Sequence, residues 1–205
     1  MIGLARRAVG YFVKSTGRGR WIYKTFCQPD GFEWAQFLAR WGGLHSIGST
    51  VWINSGCNIA DPSLVRIGNY VGLSDCTLFG HDGIVGIFYI RFGKKLDAVG
   101  PIDIRDYCFI GHGAIIMPRV TIGPDSIVAA GAVVMKDVPP GVVVAGNPAR
   151  VVCTIEELMK KTEERCAAYP WMDIIRQREG IYDPESEPAL VAMRVQHFFG
   201  EESND

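Results

Sequence analysis

Four histidines, six cysteines and a run of bases without acids are the groups in this 205-residue chain whose types could carry chemistry. The histidines are His45, His81, His112 and His197. An imidazole with an unperturbed pKa near 6.5 can take or give a proton at neutral pH. One kind of three-histidine zinc site sets two of its ligands five residues apart, and no pair here has that spacing. No metal is expected. Cys27, Cys57, Cys76, Cys108, Cys153 and Cys166 contain no C-x-x-C pair. They read as small buried hydrophobes in a reducing compartment, which points to a cytoplasmic protein. Residues 1–29 hold six bases (Arg6, Arg7, Lys14, Arg18, Arg20, Lys24) and no acid. Two readings of that start stay open. One is a solvated helix whose Trp21 and Phe26, with Trp34, pack on the main body. The other is contact with a membrane surface or a polyanionic substrate. A net charge of −1 argues against a nucleic-acid binder that works by global charge. No apolar stretch is long enough to span a membrane, and the start lacks the apolar core of a signal peptide.

The elements that must hold these groups are read from a repeat. Residues 104–139 divide into sixes: IRDYCF, IGHGAI, IMPRVT, IGPDSI, VAAGAV, VMKDVP. Each opens on Ile or Val and has a slim residue fifth: Cys108, Ala114, Val120, Ser126, Ala132, Val138. Upstream the frame reads IGSTVW, INSGCN, IADPSL over 47–64. After a two-residue slip at Val65–Arg66 it resumes as IGNYVG, LSDCTL, FGHDGI. Neither a helix nor a plain strand gives a strict period of six. A short strand and a tight turn consume six residues, and three such sides close a triangular coil of about eighteen. The first position points into the prism, where Ile47, Ile53, Ile59, Ile67, Leu73 and Phe79 stack. The fifth also points inward, near a corner. Glycine at the second place is expected to supply a corner conformation that a Cβ would oppose.

Outside the repeat, residues 35–41 read as a helix ending at Gly42–Gly43. Thr154 and Glu157 form a T-x-x-E capping pattern ahead of a helix stopped by Pro170. Further helices are expected over Met172–Arg178 and Pro188–Phe199, with Phe198 and Phe199 as packing residues. These helices are expected to cap the prism and shield the edge of its last coil. The organisation is then a helical or irregular segment 1–46, a β-helix 47–152, and helices over 153–205. Within the middle segment the hexad fails from Gly83 to Ile102. An insertion 84–101 of that length is functional or disordered, and Phe88, Tyr89 and Phe92 argue against disorder. His81 stands at its root, in CTLFGHDG.

The rule [LIV]-[GAED]-x-x-[STAV]-x is the hexapeptide-repeat signature. With IDIRDYCFIGHGAIIMPRVTIGPDSIVAAGAVVMKDVPPGVVVAGNPARVV, it makes the chain resemble the hexapeptide acyltransferases that use acetyl-CoA. Among them are the galactoside, maltose and nodulation-sugar O-acetyltransferases and the xenobiotic acetyltransferases. The resemblance covers residues 47–152. It implies an all-β core, a left-handed parallel β-helix with N- and C-terminal α-helical segments. The handedness comes from the resemblance, since most crossovers are right-handed. It implies His81 as general base, drawing the proton from an acceptor hydroxyl during direct transfer, worth about 10²–10⁴ in rate. Asn54, Asp61, Asp82 and Tyr89 would contact the acceptor, with Asp82 also a candidate to orient His81. Phe109, His112, Ala130 and Gly131 would line the coenzyme, and Lys136 and Arg150 would meet its phosphates. Phe109 stands where many members carry Trp. The resemblance also implies a homotrimer with each site between two subunits, and the 84–101 insertion reaching across.

The function expected is an acetyl-CoA-dependent O-acetyltransferase of a saccharide or saccharide precursor. N-acetylation of an amino sugar, acetylation of an antibiotic, and a non-enzymatic hexapeptide scaffold stay open beside it. A γ-type carbonic anhydrase is excluded by the histidine spacing. A serine acetyltransferase is disfavoured because 46 residues are too few for its N-terminal helical domain.

Overall fold

The computed structural model describes residues 2–200. Met1 of the first expected segment and the last five residues of the third lie outside them. The chain divides into a unit of residues 1–155 and a unit of residues 156–205.

The first unit opens with α1 (Ile2–Thr16), the single turn α2 (Arg20–Ile22) running into a π turn over Tyr23–Cys27, and α3 (Gly31–Trp41). Asp30 starts α3 by accepting the Glu33 N–H at 2.8 Å, which satisfies one of the donors a helix start leaves over. Trp34, Ala35, Phe37 and Leu38 are buried at its inner face. Gly31 approaches Trp52 so closely that a Cβ would strike its ring.

Short strands then wind three to a coil. The first coil is β1 (Ser46–Ile47), β2 (Trp52–Ile53) and β3 (Asn58–Ile59), and the second is β4 (Val65–Ile67), β5 (Gly72–Leu73) and β6 (Thr77–Leu78). The insertion follows, containing α4 (Val85–Phe92). The third coil is β7 (Ile102–Ile104), β8 (Phe109–Ile110) and β9 (Ile115–Ile116), and the fourth is β10 (Val120–Ile122), β11 (Ile127–Val128) and β12 (Val133–Val134). The chain ends this unit with β13 (Val142–Ala145) and β14 (Arg150–Thr154). The strands form three sheets, β1-β4-β7-β10, β2-β5-β8-β11-β13-β14 and β3-β6-β9-β12. All pairings are parallel except β13–β14. The two-residue slip is taken up by a 3-10 turn at Pro62–Leu64.

Inside, Ile67, Ile104 and Ile122 stack along one wall, Ile53, Leu73, Ile110 and Val128 along the second, and Leu78, Ile116 and Val134 along the third, each 2% exposed or less. Burying such a side chain contributes about 1.5–3 kcal/mol. The fifth-position Cys108 is buried with them, and burial pushes its thiol up to about 11.

Two details of the expected frame are corrected. The second coil's third side is one residue short. Ile59 pairs with Leu78, and Cys76 and Leu78 point inward where the hexad placed Thr77 and Phe79. Asp75 turns that corner at φ 41, one position earlier than its equivalents in other coils. Most second-place glycines have a different cause. Gly123 does take the positive φ expected of the second place, at 72, but elsewhere positive φ falls at the fourth place, at Thr50, Tyr70, Tyr107, Gly113, Arg119, Asp125 and Gly131. Gly48, Gly68 and Gly111 are small because the next coil passes too near; a Cβ on Gly111 would lie 2.5 Å from the Ala130 nitrogen.

The free edge of β13 is taken by β14, which folds back antiparallel on it and takes its hydrogen bonds. The insertion is not a plain loop either. Its α4 buries no residue, and Ile87, Tyr89, Ile90 and Phe92 are exposed.

In the second unit, α5 (Ile155–Cys166) leads from the first, followed by α6 (Met172–Gln177) and α7 (Glu187–Phe199). Trp171 and Leu190 are buried there. The Phe198 ring meets Tyr169 and Trp171 edge-on at 5.9 and 5.8 Å. Phe199, expected to pack, is 82% exposed among the described residues.

Candidate functional site

The prism has three edges, and two of them collect the residues singled out above. The first edge follows the third side of each coil. It carries Asp61 in the first coil, His81 and the insertion in the second, Arg119 in the third and Lys136 in the fourth. The insertion leaves and returns at one point: Gly100 donates its N–H to Gly80 O at 2.9 Å, and Asp82 to Ala98 O at 2.8 Å. Arg119 Nε clamps the returning strand by donating to Val99 O at 3.1 Å. His81 therefore sits on a closed neck, and α4 extends beyond it.

His81 Nδ1 lies 2.6 Å from Asp61 Oδ2. The same carboxylate oxygen accepts the Gly80 N–H at 3.1 Å, which fixes it. A carboxylate can only accept, so the proton of a neutral imidazole rests on Nδ1 and the lone pair on Nε2. The ring is 52% exposed and the Asp61 side chain 27%. This arrangement presents an oriented base to solvent, with a negative charge behind it to stabilise the imidazolium that forms on proton uptake.

Asp61 was expected to bind an acceptor; its contact is instead with His81, one coil above. Asp82, the other candidate to orient the ring, is engaged elsewhere, accepting the Ile84 N–H at 3.0 Å where the insertion begins. Tyr89 lies on α4, half exposed, with Lys95 Nζ 5.9 Å from its ring centroid.

The second edge follows the second side of each coil. It carries Asn54, Asp75, His112 and Ala130–Gly131. Asn54 is built into its corner: its backbone N–H reaches Leu73 O and its carbonyl accepts from Cys57. His112 Nδ1 faces Asp75 Oδ2 at 3.8 Å, a looser pair than the first, with the ring 74% exposed. Ala130 and Gly131 are exposed, and a Cβ on Gly131 would meet nothing within 4 Å, so the backbone there is open to a ligand lying along it. Beneath this edge, Cys57 Sγ lies 3.4 Å from Cys76 Sγ. That contact, and then burial, hold the Cys76 thiol far above its ordinary value, so it packs as a neutral group.

Phe109 belongs to neither edge. It stands on the outer face of β8, its ring stacked on Trp52 at 5.9 Å and 16° across Gly72. Lys136 and Arg150 come together at the far end of the prism, lining one cavity of about 360 Å³ with Met135, Asp137, Pro139 and Val151. Asp137 is not free there, since its Oδ1 accepts the Thr121 N–H at 2.7 Å.

The chain thus gathers His81 with Asp61, and Lys136 with Arg150, but leaves His112, Ala130 and Gly131 on another edge. A six-residue side separates the edges by up to about 20 Å. Sequence reasoning missed the contact of Asp61 with His81 and the clamp of Arg119. A partial signal for the first was present: the slip lengthens the expected coil to twenty residues, the separation of Asp61 from His81, although the strands at this edge pair at an offset of nineteen.

Residues 101–136 match the family model described as bacterial transferase hexapeptide (six repeats). Galactoside O-acetyltransferase of Escherichia coli (strain K12) is 33% identical over 117 residues, 57% of this chain and 57% of that protein. A 2,3,4,5-tetrahydropyridine-2,6-dicarboxylate N-acetyltransferase of Clostridium perfringens (strain SM101 / Type A) is 52% identical over 64 residues, 31% of this chain and 27% of that protein. The chain spans about half or less of the length of the curated relatives it matches. The solved structure of a galactoside acetyltransferase in complex with coenzyme A shares the fold. It aligns with a TM-score of 0.52 at 22% identity, covering 76% of this chain and 84% of that one. The architecture is that of a left-handed parallel β-helix with helical segments at its ends.

Proposed function

We propose that this chain, which carries the hexapeptide repeat of the bacterial transferases, moves an acetyl group from acetyl-CoA directly to a hydroxyl of a saccharide or saccharide precursor. The observation that carries the reading is the 2.6 Å contact of His81 with Asp61 at the neck of an exposed insertion. Bound acetyl-CoA would supply an activated thioester, so the protein's task is to make the hydroxyl nucleophilic. His81 Nε2 accepts the hydroxyl proton as its oxygen attacks, Asp61 holds the ring in that tautomer, and the proton then passes from Nε2 to the departing thiolate. No covalent enzyme intermediate is required.

The chain's residues fit the coenzyme. Lys136 and Arg150 share one cavity, and the Ala130–Gly131 backbone is unobstructed along its edge. Because those corner residues and His81 lie on different edges, one chain alone presents half a site. We take the working form to be a homotrimer in which His81 of one subunit meets the His112, Ala130 and Gly131 edge of its neighbour. The uncovered apolar residues of α4, Ile87 and Ile90 among them, suit burial against that neighbour. Tyr89 would then border the acceptor.

N-acetylation is the second reading, favoured by the N-acetyltransferase that is 52% identical over 64 residues. An amine needs less help from a base than a hydroxyl does, so the two separate on the His81→Ala variant. The test is consumption of acetyl-CoA across sugars, nucleotide sugars, amino sugars and aminoglycosides, by wild type and by His81→Ala. Turnover with a hydroxyl acceptor that falls by about 10²–10⁴ in the variant supports the reading. Undiminished turnover removes His81 as the base. If saturating CoA fails to raise the melting temperature of the wild type, the scaffold reading replaces both.

A further inference from the structure

The N-terminal helix has a face that the fold does not use. At 100° per residue, Leu4, Ala8, Tyr11 and Ser15 line one strip of α1, with Phe12 beside it. Leu4, Tyr11 and Phe12 are 76%, 78% and 54% exposed. The opposite side of the helix, around Val13, is the one that packs; Val13 itself is 1% exposed. Just beyond the helix, Trp21 is 73% exposed as well. This is a concentration of large apolar side chains in water that a solvated helix would not carry.

Charge says what covers it. Residues 1–29 hold six bases and no acid, whereas the rest of the chain holds 15 bases and 22 acids. Arg7 falls on one flank of the apolar strip, beside Lys14, whose Nζ is paired with Glu33 at 2.6 Å. A second copy docking face to face through this strip would set base against base. A flat anionic layer with an apolar interior satisfies both parts at once, with Arg7 at the headgroups and Leu4, Tyr11 and Phe12 at the acyl boundary. Tyr and Trp, apolar in body and polar at the tip, suit that boundary. Among the described residues no helix is long and apolar enough to cross a membrane.

We propose that α1 lies on the surface of an anionic bilayer and docks the protein there. The inference stands apart from the acyl-transfer reading. It is tested on the full chain by co-sedimentation with vesicles of phosphatidylcholine alone and with roughly 30% phosphatidylglycerol. Binding is expected only with the anionic lipid, weakening as salt rises from about 0.1 to about 0.5 M. Tyr11→Ser with Phe12→Ser is expected to lower partitioning at least about tenfold, and Arg7→Gln about fivefold. These positions are exposed, so both variants should keep the wild-type circular dichroism and oligomeric mass. No binding to anionic vesicles, equal binding to neutral ones, or variants that bind like wild type would overturn the proposal. A double variant that changes oligomeric mass would likewise assign the strip to contact between copies.

Discussion

Replacing Asp61 with Asn tests whether the carboxylate acts through His81. The substitution keeps size and can still accept the Gly80 N–H, but removes the charge 2.6 Å from Nδ1. The imidazolium that forms as the acceptor loses its proton then has no counter-charge. Two unit charges with centres about 4 Å apart attract by about 1 kcal/mol in water and about 4 kcal/mol at an effective dielectric of 20. The ring is 52% exposed and the carboxylate 27%, which favours the lower half of that range. A loss of about 1–2.5 kcal/mol of transition-state stabilisation lowers kcat by about 5–70-fold. The assay is thiol release from acetyl-CoA with an acceptor that wild type turns over, and KM for acetyl-CoA should hold steady. The decisive comparison is a cycle with His81→Ala. If Asp61 is a positioning residue, Asp61→Asn costs nothing further once the imidazole is gone. An equal loss in both backgrounds would mean that Asp61 touches substrate independently, and an unchanged kcat in the single variant would refute the dyad altogether.

Lys136→Ala should raise the apparent Kd for CoA about 5–30-fold by removing a charge-assisted contact. Because Lys136 and Arg150 line one cavity, the double variant should lose less than the two single losses combined, read by thermal shift against CoA concentration. Gly111→Ala should destabilise by at least about 1–3 kcal/mol, since its Cβ would lie 2.5 Å from the Ala130 nitrogen, seen as a Tm lower by several degrees. Gly86→Ala, on the open surface of α4, is the control and should leave Tm unchanged or higher. The Asp106 carboxyl is held below its ordinary value by the backbone N–H and then the side chain of Asn69. Its contribution is therefore complete above about pH 4 and is lost as pH falls through the lower folded value. A plot of Tm against pH should have a shallower acid limb in Asp106→Asn.

The repeat was legible because the prism interior admits so few solutions. Each wall needs an aliphatic side chain every six residues, and a corner beside it leaves room only for something slim, so the constraint is written into the order of residues. Where two solutions satisfy that rule, the sequence is silent. In Cys76–Thr77–Leu78–Phe79 both a cysteine–leucine and a threonine–phenylalanine frame fit, and only the early corner at Asp75 decides between them. The helix over 31–41 announced itself by an amphipathic run, whereas α1 carries apolar residues on both its packed and its exposed sides and blurs its own period. Pairing across coils was hidden for another reason. Asp61 and His81 meet only once the length of that particular coil is known, and a slip of two residues changes every such partner.

The separation of the functional residues onto two edges follows from the same geometry. In a three-walled solenoid, residues at equivalent corners of successive coils stack along one edge, so a site assembled within a chain can only run lengthwise. Asp61, His81, Arg119 and Lys136 obey this, one per coil. Asn54, Asp75, His112 and Gly131 obey it on the next edge. On the proposed reading two reactants meet between those sets, which needs one edge brought to the other, and a rigid prism cannot do that by bending. The proposed joining of copies edge to edge would achieve it without cost to the core, and the closed neck beneath His81, pinned at Gly80–Gly100 and by Arg119, holds the exposed imidazole in place while α4 carries its apolar residues uncovered.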